Sequence, residues 1–212
     1  MWDFHTHILP GIDDGASSME ESIEMIRHLQ KLGFEGVVAT PHANPMYVPE
    51  RSLLEELRDR LKAETGFDII IGYEVAMDTL SVYNPEALTI EGTRFILVEL
   101  PWFDENFDYE RPLLDLIRSG FRPILAHPER HGHISINDVT KIKGTGTLIQ
   151  LNVKSLLGGY GKEVQKRATK YLGMADLMGS DAHSPEDYAR YISKGVNYYE
   201  GKDFGRYKEQ AN

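Results

Sequence analysis

Residues 3–15 read Asp3-Phe4-His5-Thr6-His7-Ile8-Leu9-Pro10-Gly11-Ile12-Asp13-Asp14-Gly15, and this stretch decides how the rest of the chain is interpreted. Because alternate residues of a β-strand point to the same face, His5 and His7 are expected to converge at the end of a first strand. Asp14 can return toward the same place from the Pro/Gly-rich turn that follows. Two imidazoles and a carboxylate at a strand end are typical of a metal site. Taken alone, the His-x-His motif favours a polar strand with a solvated turn, and the later segments overturn that interpretation.

The same arrangement recurs at one strand end after another. Five further apolar segments have the composition of buried parallel strands, and each ends on an ionisable side chain or runs directly into one. These segments and their side chains are 35–40 with His42, 68–74 with Glu74, 94–99 with Glu99, 122–126 with His127, and 175–180 with Asp181 and His183.

Helical segments separate these strands. Apolar residues at helical spacing predict helices at about 19–32, 50–64, 109–119, 137–142 and 162–172, with a further strand at 147–152. An alternation of about seven strands with helices indicates an α/β fold built on a parallel sheet. An open doubly wound sheet is one possibility. A closed or distorted barrel fits better, because the carboxyl ends of barrel strands gather on one face. We expect a single domain over residues 1–212, with fewer units than the usual eight.

Composition restricts the class of protein. The 212-residue chain contains no cysteine, which excludes disulfides, thiolate metal ligands and a cysteine nucleophile. Its formal net charge of −10 is unfavourable for binding nucleic acid. The sequence shows neither a signal peptide nor an apolar segment long enough to cross a bilayer. We therefore expect a soluble cytoplasmic protein that does not insert into membranes.

The strand-end residues are best explained together. Each one alone has an ordinary structural explanation, but burying so many charges on one face without a counter-ion is costly. Bound divalent cations remove that cost, and imidazole with carboxylate but no thiolate suits Mn, Fe or Zn. The number of candidate ligands suits two or three ions. The candidates are His5, His7, Asp14, His42, Glu74, Glu99, His127, Asp181 and His183.

A cluster of divalent ions predicts hydrolysis of a phosphate ester. A water shared between ions loses a proton near neutral pH and becomes the nucleophile, while the ions take up charge on the phosphoryl oxygens. Arg130, three residues after His127, is the candidate cation that would grip the phosphate with two hydrogen bonds. The alternative for Arg130 is a surface salt bridge with the adjacent Glu129. His131 is a candidate general acid, and a metal-bound water could serve instead.

Several motifs resemble those of the PHP-domain (polymerase and histidinol phosphatase) metallo-phosphoesterases. The segments 7–15 and 155–161 further resemble the bacterial capsule and exopolysaccharide branch, which consists of metal-dependent protein-tyrosine phosphatases. The resemblance covers nearly the whole chain and implies a distorted (β/α)7 TIM-like barrel with a three-ion site, manganese being the first candidate. The motifs are His5-Thr6-His7, Asp13-Asp14-Gly15, Thr40-Pro41-His42, Glu74, Val98-Glu99, Ala126-His127-Pro128-Glu129-Arg130 and Ser180-Asp181-Ala182-His183.

The resemblance also implies a role for each ligand and a substrate. Glu74 would bridge two ions, and the substrate would be the autophosphorylated tyrosine-rich tail of a bacterial tyrosine kinase. The branch often has a second phosphate-binding arginine where this chain has Tyr188, and the nearest arginine is Arg190. The implied ligand sets are His5, His7, Glu74 and Asp181 for one ion, Glu74, Glu99 and His127 for a second, and Asp14, His42 and His183 for a third.

Two other functions stay open on sequence grounds. One is a phosphatase of a small monoester such as histidinol phosphate, and the other is a non-catalytic metal-binding regulatory module. Glu99 favours the tyrosine-phosphatase branch, because the histidinol-phosphatase branch tends to have a histidine at that position. The intact set of strand-end ligands argues against a module without activity.

Overall fold

Parallel strands form the centre of the computed structural model, which describes residues 1–102, 108–202 and 204. One sheet has the order β1-β2-β4 and the other the order β3-β5-β6-β7-β8-β9, and every pairing within them is parallel. The α/β prediction is therefore confirmed. The strands are β1 Trp2–Thr6, β2 Gly36–Ala39, β3 His42–Ala43, β4 Asp68–Ile71, β5 Glu74–Ala76, β6 Phe95–Glu99, β7 Arg122–Leu125, β8 Leu148–Asn152 and β9 Leu177–Gly179.

The two sheets are joined by backbone hydrogen bonds and curl back on themselves. Just past β4, the Gly72 amide donates to the Ala39 carbonyl of β2 at 2.8 Å, and the Glu74 amide of β5 donates to the Pro41 carbonyl just before β3 at 3.0 Å, so the pairing continues from one sheet into the other. At the other edge, the Asp181 amide donates to the His5 carbonyl at 2.8 Å, so the segment after β9 contacts the end of β1. The parallel sheet is thus a curled layer rather than an open, flat one. This curvature brings the carboxyl ends of all these strands toward one another.

Helices cover the outer side of the sheet close to the positions that the sequence predicts. Ser18 caps the first helix, where its side chain accepts a hydrogen bond from the Glu21 amide at 3.2 Å. After β9 the helical segment is interrupted, with a π-helical turn at Tyr188–Ile192 between two short α-helical pieces. The helices are α1 Met19–Lys31, α2 Arg51–Thr65, α3 Glu110–Arg118, α4 Ile136–Gly144, α5 Val153–Leu156, α6 Lys162–Tyr171, α7 Pro185–Asp187 and α8 Ser193–Gly195.

The described helices are too short or too polar to span a membrane.

The inner faces of the strands change character along their length. In β6, Phe95 and Leu97 belong to a buried apolar cluster, whereas Glu99, two residues further along the same face, is a candidate metal ligand. We call this cluster the apolar floor. Within it, the ring centroids of Phe4 and Phe204 lie 5.3 Å apart. The members of the apolar floor are Trp2, Phe4, Val38, Ile90, Phe95, Leu97, Ile124, Ala126, Leu177 and Phe204.

The first strand contains an irregularity that the sequence did not predict. The register between β1 and β2 shifts between Asp3 and Thr6, which marks a bulge-like break in the alternation. Phe4 packs into the apolar floor, and His5 still reaches the cluster of candidate ligands. His7 lies one residue past the end of the strand, and its Nε2 is 3.2 Å from the Nε2 of His5. The predicted convergence of the two imidazoles is therefore observed, with the bulge as part of its cause.

Candidate metal centre

Four buried side chains point one donor atom each at a common centre. His5 Nε2 lies 3.3 Å from Glu74 Oε2 and 3.6 Å from Asp181 Oδ1. His7 Nε2 lies 3.3 Å and 3.4 Å from the same two oxygens. Ligand atoms at about 2.1 Å from one ion, at tetrahedral or octahedral corners, are separated by about 3.0–3.4 Å. The observed spacing therefore fits a single divalent cation held by His5, His7, Glu74 and Asp181.

Each of the two carboxylates of this group has a buried oxygen atom that faces imidazole rings and would be neutralised by a bound cation. Glu74 Oε2 and Asp181 Oδ1 are buried and have no hydrogen-bond partner among the described residues. Burial alone would raise the pKa of each carboxyl, but the facing His5 and His127 hold the pKa of Glu74 and of Asp181 well below its usual range. Both groups are therefore ionised. An ionised, buried oxygen without a donor is costly unless a cation is bound.

A second group lies on the other side of Glu74. His127 Nε2 is 2.6 Å from Glu74 Oε1 and 3.9 Å from Glu99 Oε1. Burial, together with the charge of Glu74, raises the pKa of Glu99 to about 8, so this carboxyl holds a proton at neutral pH until a cation displaces it. Because Glu74 directs one oxygen at each group, it is placed to bridge two ions.

His131 joins this second group rather than standing apart from it. Its ligand atom and those of Glu99 and His127 lie within 4.8 Å of one another. Both ring nitrogens of His131 are buried and have no hydrogen-bond partner among the described residues. Burial and the neighbouring His127 lower the pKa of His131 to about 3, so the ring is neutral. A neutral imidazole is suited to binding a metal and has no extra proton to give to a leaving group.

A third group faces solvent. His42 Nε2 and His183 Nε2 lie 3.3 Å and 3.4 Å from Asp14 Oδ1, and His7 completes the set. His42 Nδ1 also lies 3.0 Å from Glu74 Oε2, which links this group to the central one. The Asp14 side chain is 71% exposed, in contrast to the fully buried Asp181. The third group is therefore the mouth of the site.

Several supporting residues were not singled out from the sequence. Asp13 Oδ2 lies 2.7 Å from His7 Nδ1 and orients that ring. Asn152 Nδ2 and the Tyr160 hydroxyl donate to Asp181 Oδ2 at 2.7 Å and 2.8 Å. Gln150 Oε1 lies 3.3 Å from His5 Nδ1. Gln150 and Asn152 lie at the carboxyl end of β8, so the local signal for them is that this predicted strand also ends on polar side chains.

Backbone conformation at two candidate ligands is unusual. His127 has φ of 27° and Asp181 has φ of 53°, in the region that non-glycine residues rarely adopt. Each lies two residues past the end of a strand, β7 for His127 and β9 for Asp181. Such conformations cost of order 1–3 kcal/mol and are concentrated at functional sites. The surrounding structure thus holds these side chains where strand geometry alone would not.

Arg130 is located beside the centre, held by an acid that the sequence did not predict. Its Nη1 donates to Asp181 Oδ2 at 2.7 Å, and its guanidinium stacks 4.5 Å from the Tyr160 ring centroid. The expected alternative partner is absent, since Glu129 is buried and accepts instead from the Asn152 amide at 2.9 Å. The guanidinium therefore lies next to a candidate ligand.

The two positions considered for a second arginine lie elsewhere. The Tyr188 hydroxyl is buried, with the Thr6 hydroxyl at 2.9 Å, and donates to Asp3 at 3.1 Å. Arg190 is largely exposed and lies 3.5 Å from Glu186 on the same turn of helix. Among the described residues, neither side chain forms a hydrogen bond or ion pair with a candidate metal ligand.

Comparison with known proteins places this chain in a family. The family described as capsular polysaccharide synthesis, CpsB/CapC, matches residues 1–211. The tyrosine-protein phosphatase YwqE of Bacillus subtilis is 30% identical over 97% of this chain and 85% of its own length. The tyrosine-protein phosphatase CpsB of Streptococcus pneumoniae is 25% identical over 93% of this chain and 88% of its own length.

Solved structures agree with this assignment. A chain from the crystal structures of YwqE and CpsB, described as unique metal-dependent tyrosine phosphatases, superposes with a TM-score of 0.81 at 28% identity, covering 97% of this chain and 88% of that one. The lactonase Lmo2620 of Listeria monocytogenes has a TM-score of 0.58 at 14% identity, covering 100% of this chain and 87% of that one, which shows a shared fold alone. The chain belongs to the CpsB/CapC family of capsular polysaccharide synthesis proteins.

Proposed function

We propose that this protein is a metal-dependent protein-tyrosine phosphatase acting in the control of capsule or exopolysaccharide synthesis. The observation that carries the proposal is the group His5, His7, Glu74 and Asp181, whose donor atoms have the spacing of ligands around one ion. The activity named for the relatives YwqE and CpsB gives this centre its reaction class.

The proposal assigns two to three divalent ions to the chain. Glu74 would be shared between the first two, since its two oxygens face different groups. Imidazole and carboxylate donors suit manganese, with iron or zinc as alternatives. When bound, the ions would supply an activated water and would stabilise charge on the phosphoryl oxygens. The proposed ligands are His5, His7, Glu74 and Asp181, then Glu99, His127 and His131 beside Glu74, and finally Asp14, His42 and His183.

The side chains around the ions orient the phosphate and the ligands. Arg130 has one N–H committed to Asp181, which leaves further guanidinium donors for phosphoryl oxygens. Trp102 Nε1 donates to Glu99 Oε1 at 3.0 Å and fixes that carboxylate. We assign His131 to metal binding rather than to proton donation, because its ring is neutral. A tyrosine leaving group is a weaker base than an alkoxide and therefore depends less on a general acid.

We further propose that the curled sheet is a distorted (β/α)7 barrel. Only Thr40 and Pro41 separate β2 from β3, and only Gly72 and Tyr73 separate β4 from β5. Counting each pair as one interrupted strand gives seven strands around the ring. The contact between the segment after β9 and the end of β1 supports closure.

The proposed substrate is the phosphorylated tyrosine-rich tail of a bacterial tyrosine kinase, met in the cytoplasm. The test is turnover of a phosphotyrosyl peptide compared with histidinol phosphate, before and after a chelator and after Mn²⁺ is restored. We expect metal-dependent release of phosphate from the peptide at a kcat/KM at least about tenfold higher than from histidinol phosphate. Preference for histidinol phosphate would contradict the assignment. The absence of all turnover in protein shown by elemental analysis to carry its ions would favour a regulatory module.

A further inference from the structure

A recess with apolar walls opens beside the proposed metal centre. It has a volume of about 380 Å³, within the range of about 300–1,000 Å³ found for small-molecule sites. Glu99 belongs both to this recess and to a group of candidate ligands, so the two spaces are contiguous. The residues that line the recess are Ala76, Met77, Asp78, Glu99, Leu100, Pro101 and Trp102.

The recess is built on the same two strand ends as the ligands. Ala76 lies two residues after Glu74, on the same face of β5, and is the register partner of Glu99 on β6. A group bound next to Ala76 would therefore adjoin the carboxylates of both Glu74 and Glu99. Because the chain places small and apolar side chains here, the space beside the carboxylates stays open and water is weakly held.

Trp102 forms a wall of the recess and is itself fixed by the site. The residue is 42% exposed, although its Nε1 donates to Glu99. The ring centroid lies 4.4 Å from that of His131 and 5.0 Å from the Arg130 guanidinium carbon. A large aromatic face held rigidly and left open to solvent is suited to packing against another ring.

We propose that this recess binds the phenyl ring of the substrate's phosphotyrosine and so makes the enzyme selective for aryl phosphates. The proposal rests on the phosphatase function proposed above and specifies what selects the substrate. Asp78 is the lining carboxylate that is not a candidate metal ligand, and its charge disfavours an anion in the recess and directs the phosphate toward the ions. An uncharged ring meets apolar contacts with Met77, Leu100 and Trp102.

The test is calorimetric binding of two inert phosphonates to the metal-loaded protein. Phenylphosphonate carries the ring and methylphosphonate does not, while both carry the same anionic group. Trp102→Leu removes a wall, and Ala76→Leu fills the recess without altering a candidate ligand. We expect both variants to weaken phenylphosphonate binding about tenfold, or about 1.4 kcal/mol, and methylphosphonate binding less than twofold. Tyr83→Ala, an exposed aromatic outside the recess, is the control and leaves both affinities unchanged.

Two results would overturn the proposal. One is an equal loss of affinity for both phosphonates, which would mean that the variants disturb the ions rather than a ring site. The other is unchanged phenylphosphonate binding with impaired turnover of a phosphotyrosyl peptide, which would mean that the recess holds a neighbouring residue. Failure of the phosphatase function itself would appear differently, as absent turnover of any phosphate ester by the unmodified protein.

Discussion

The two ends of the curled sheet differ in whether their buried atoms all have partners within the protein. At the amino ends of the strands, the apolar floor is well packed, and the ring centroids of Phe4 and Phe95 lie 5.3 Å and 6.3 Å from that of Phe204. At the carboxyl ends, Glu74 and Asp181 keep buried oxygens without donors. The apolar floor has no buried polar atom that needs a ligand, whereas the opposite end keeps ionised oxygens that a bound cation would neutralise. Stability and reactivity are therefore assigned to different ends of the same strands.

The comparison teaches how one strand can serve both ends. Along β6, every second side chain points to the inner face of the sheet. These side chains are Phe95 and Leu97 in the apolar floor and Glu99 in the candidate metal centre. A substitution at the beginning of such a strand should change stability, and one at its end should change metal binding. Each prediction below tests that division.

The largest effect is expected at the carboxyl end. Asp181→Asn keeps the size of the side chain but removes its charge and a proposed metal ligand, so turnover should fall about 1,000-fold or more. Steady-state kinetics with Mn²⁺ in excess measures this. Asp176→Asn, at the other end of the same βα unit and paired with Lys143, is the matched control and should retain turnover. Comparable losses in both variants would remove the distinction between the two ends.

The next effect is expected from a substitution in the apolar floor, which should change stability but not metal binding. Phe4 is fully buried against Phe204, and Phe4→Ala should lower the free energy of unfolding by about 3–5 kcal/mol. Denaturant titration of the metal-loaded protein measures the loss, and elemental analysis should find unchanged ions per chain. Leu53→Ala, at an exposed position on α2, should change stability by less than about 0.5 kcal/mol. Loss of ions in Phe4→Ala at low denaturant would show that the ends are coupled.

A smaller effect is expected from the residue that orients His7. Asp13→Asn keeps the shape but weakens the hydrogen bond to His7 Nδ1, and metal affinity should fall about 10–100-fold. Burial alone would raise the pKa of Asp13, but the contact with His7 lowers it to about 2, so the acid is charged at every working pH. Titration with Mn²⁺ measures the affinity, and saturating ion should restore most of the turnover. Wild-type affinity in this variant would contradict the orienting role.

The last effect concerns how stability depends on pH. Burial raises the pKa of Glu99 to about 8 from an ordinary value of 4.5, so between these values the folded metal-free chain holds a proton that the unfolded chain has released. This contribution to stability is present below about pH 4.5 and is lost as the pH rises toward 8. Glu99→Gln should flatten that decline in chelator-treated protein, as thermal melting across this range would show. An unchanged slope would mean that Glu99 is not the titrating group.

The sequence was most informative where the signal is local. Strand ends and the turn after the first strand indicated the candidate ligands other than His131, which was predicted as a general acid. Helical spacing located α1, α2 and α6 within a few residues. These features depend on neighbours in the chain, which is why they can be read without a structure.

The features of the site that the sequence did not predict depend on contacts between segments distant in the chain. The support of His5 by Gln150 joins residues 145 apart, and the contact of Arg130 with Asp181 joins residues 51 apart. No local pattern distinguishes Asp181 from Glu129 as the partner of Arg130. The bulge in β1 and the π-helical turn at Tyr188–Ile192 likewise arise from packing against the rest of the fold.

The exposure of the third group has a consequence for how many ions the protein retains during purification. Asp14 and His42 are open to solvent, whereas His5 and Asp181 are enclosed. Ions held by these residues would exchange with the medium at unequal rates, and dialysis would strip the outer position first. A preparation washed for longer should therefore contain fewer ions per chain without any change in fold.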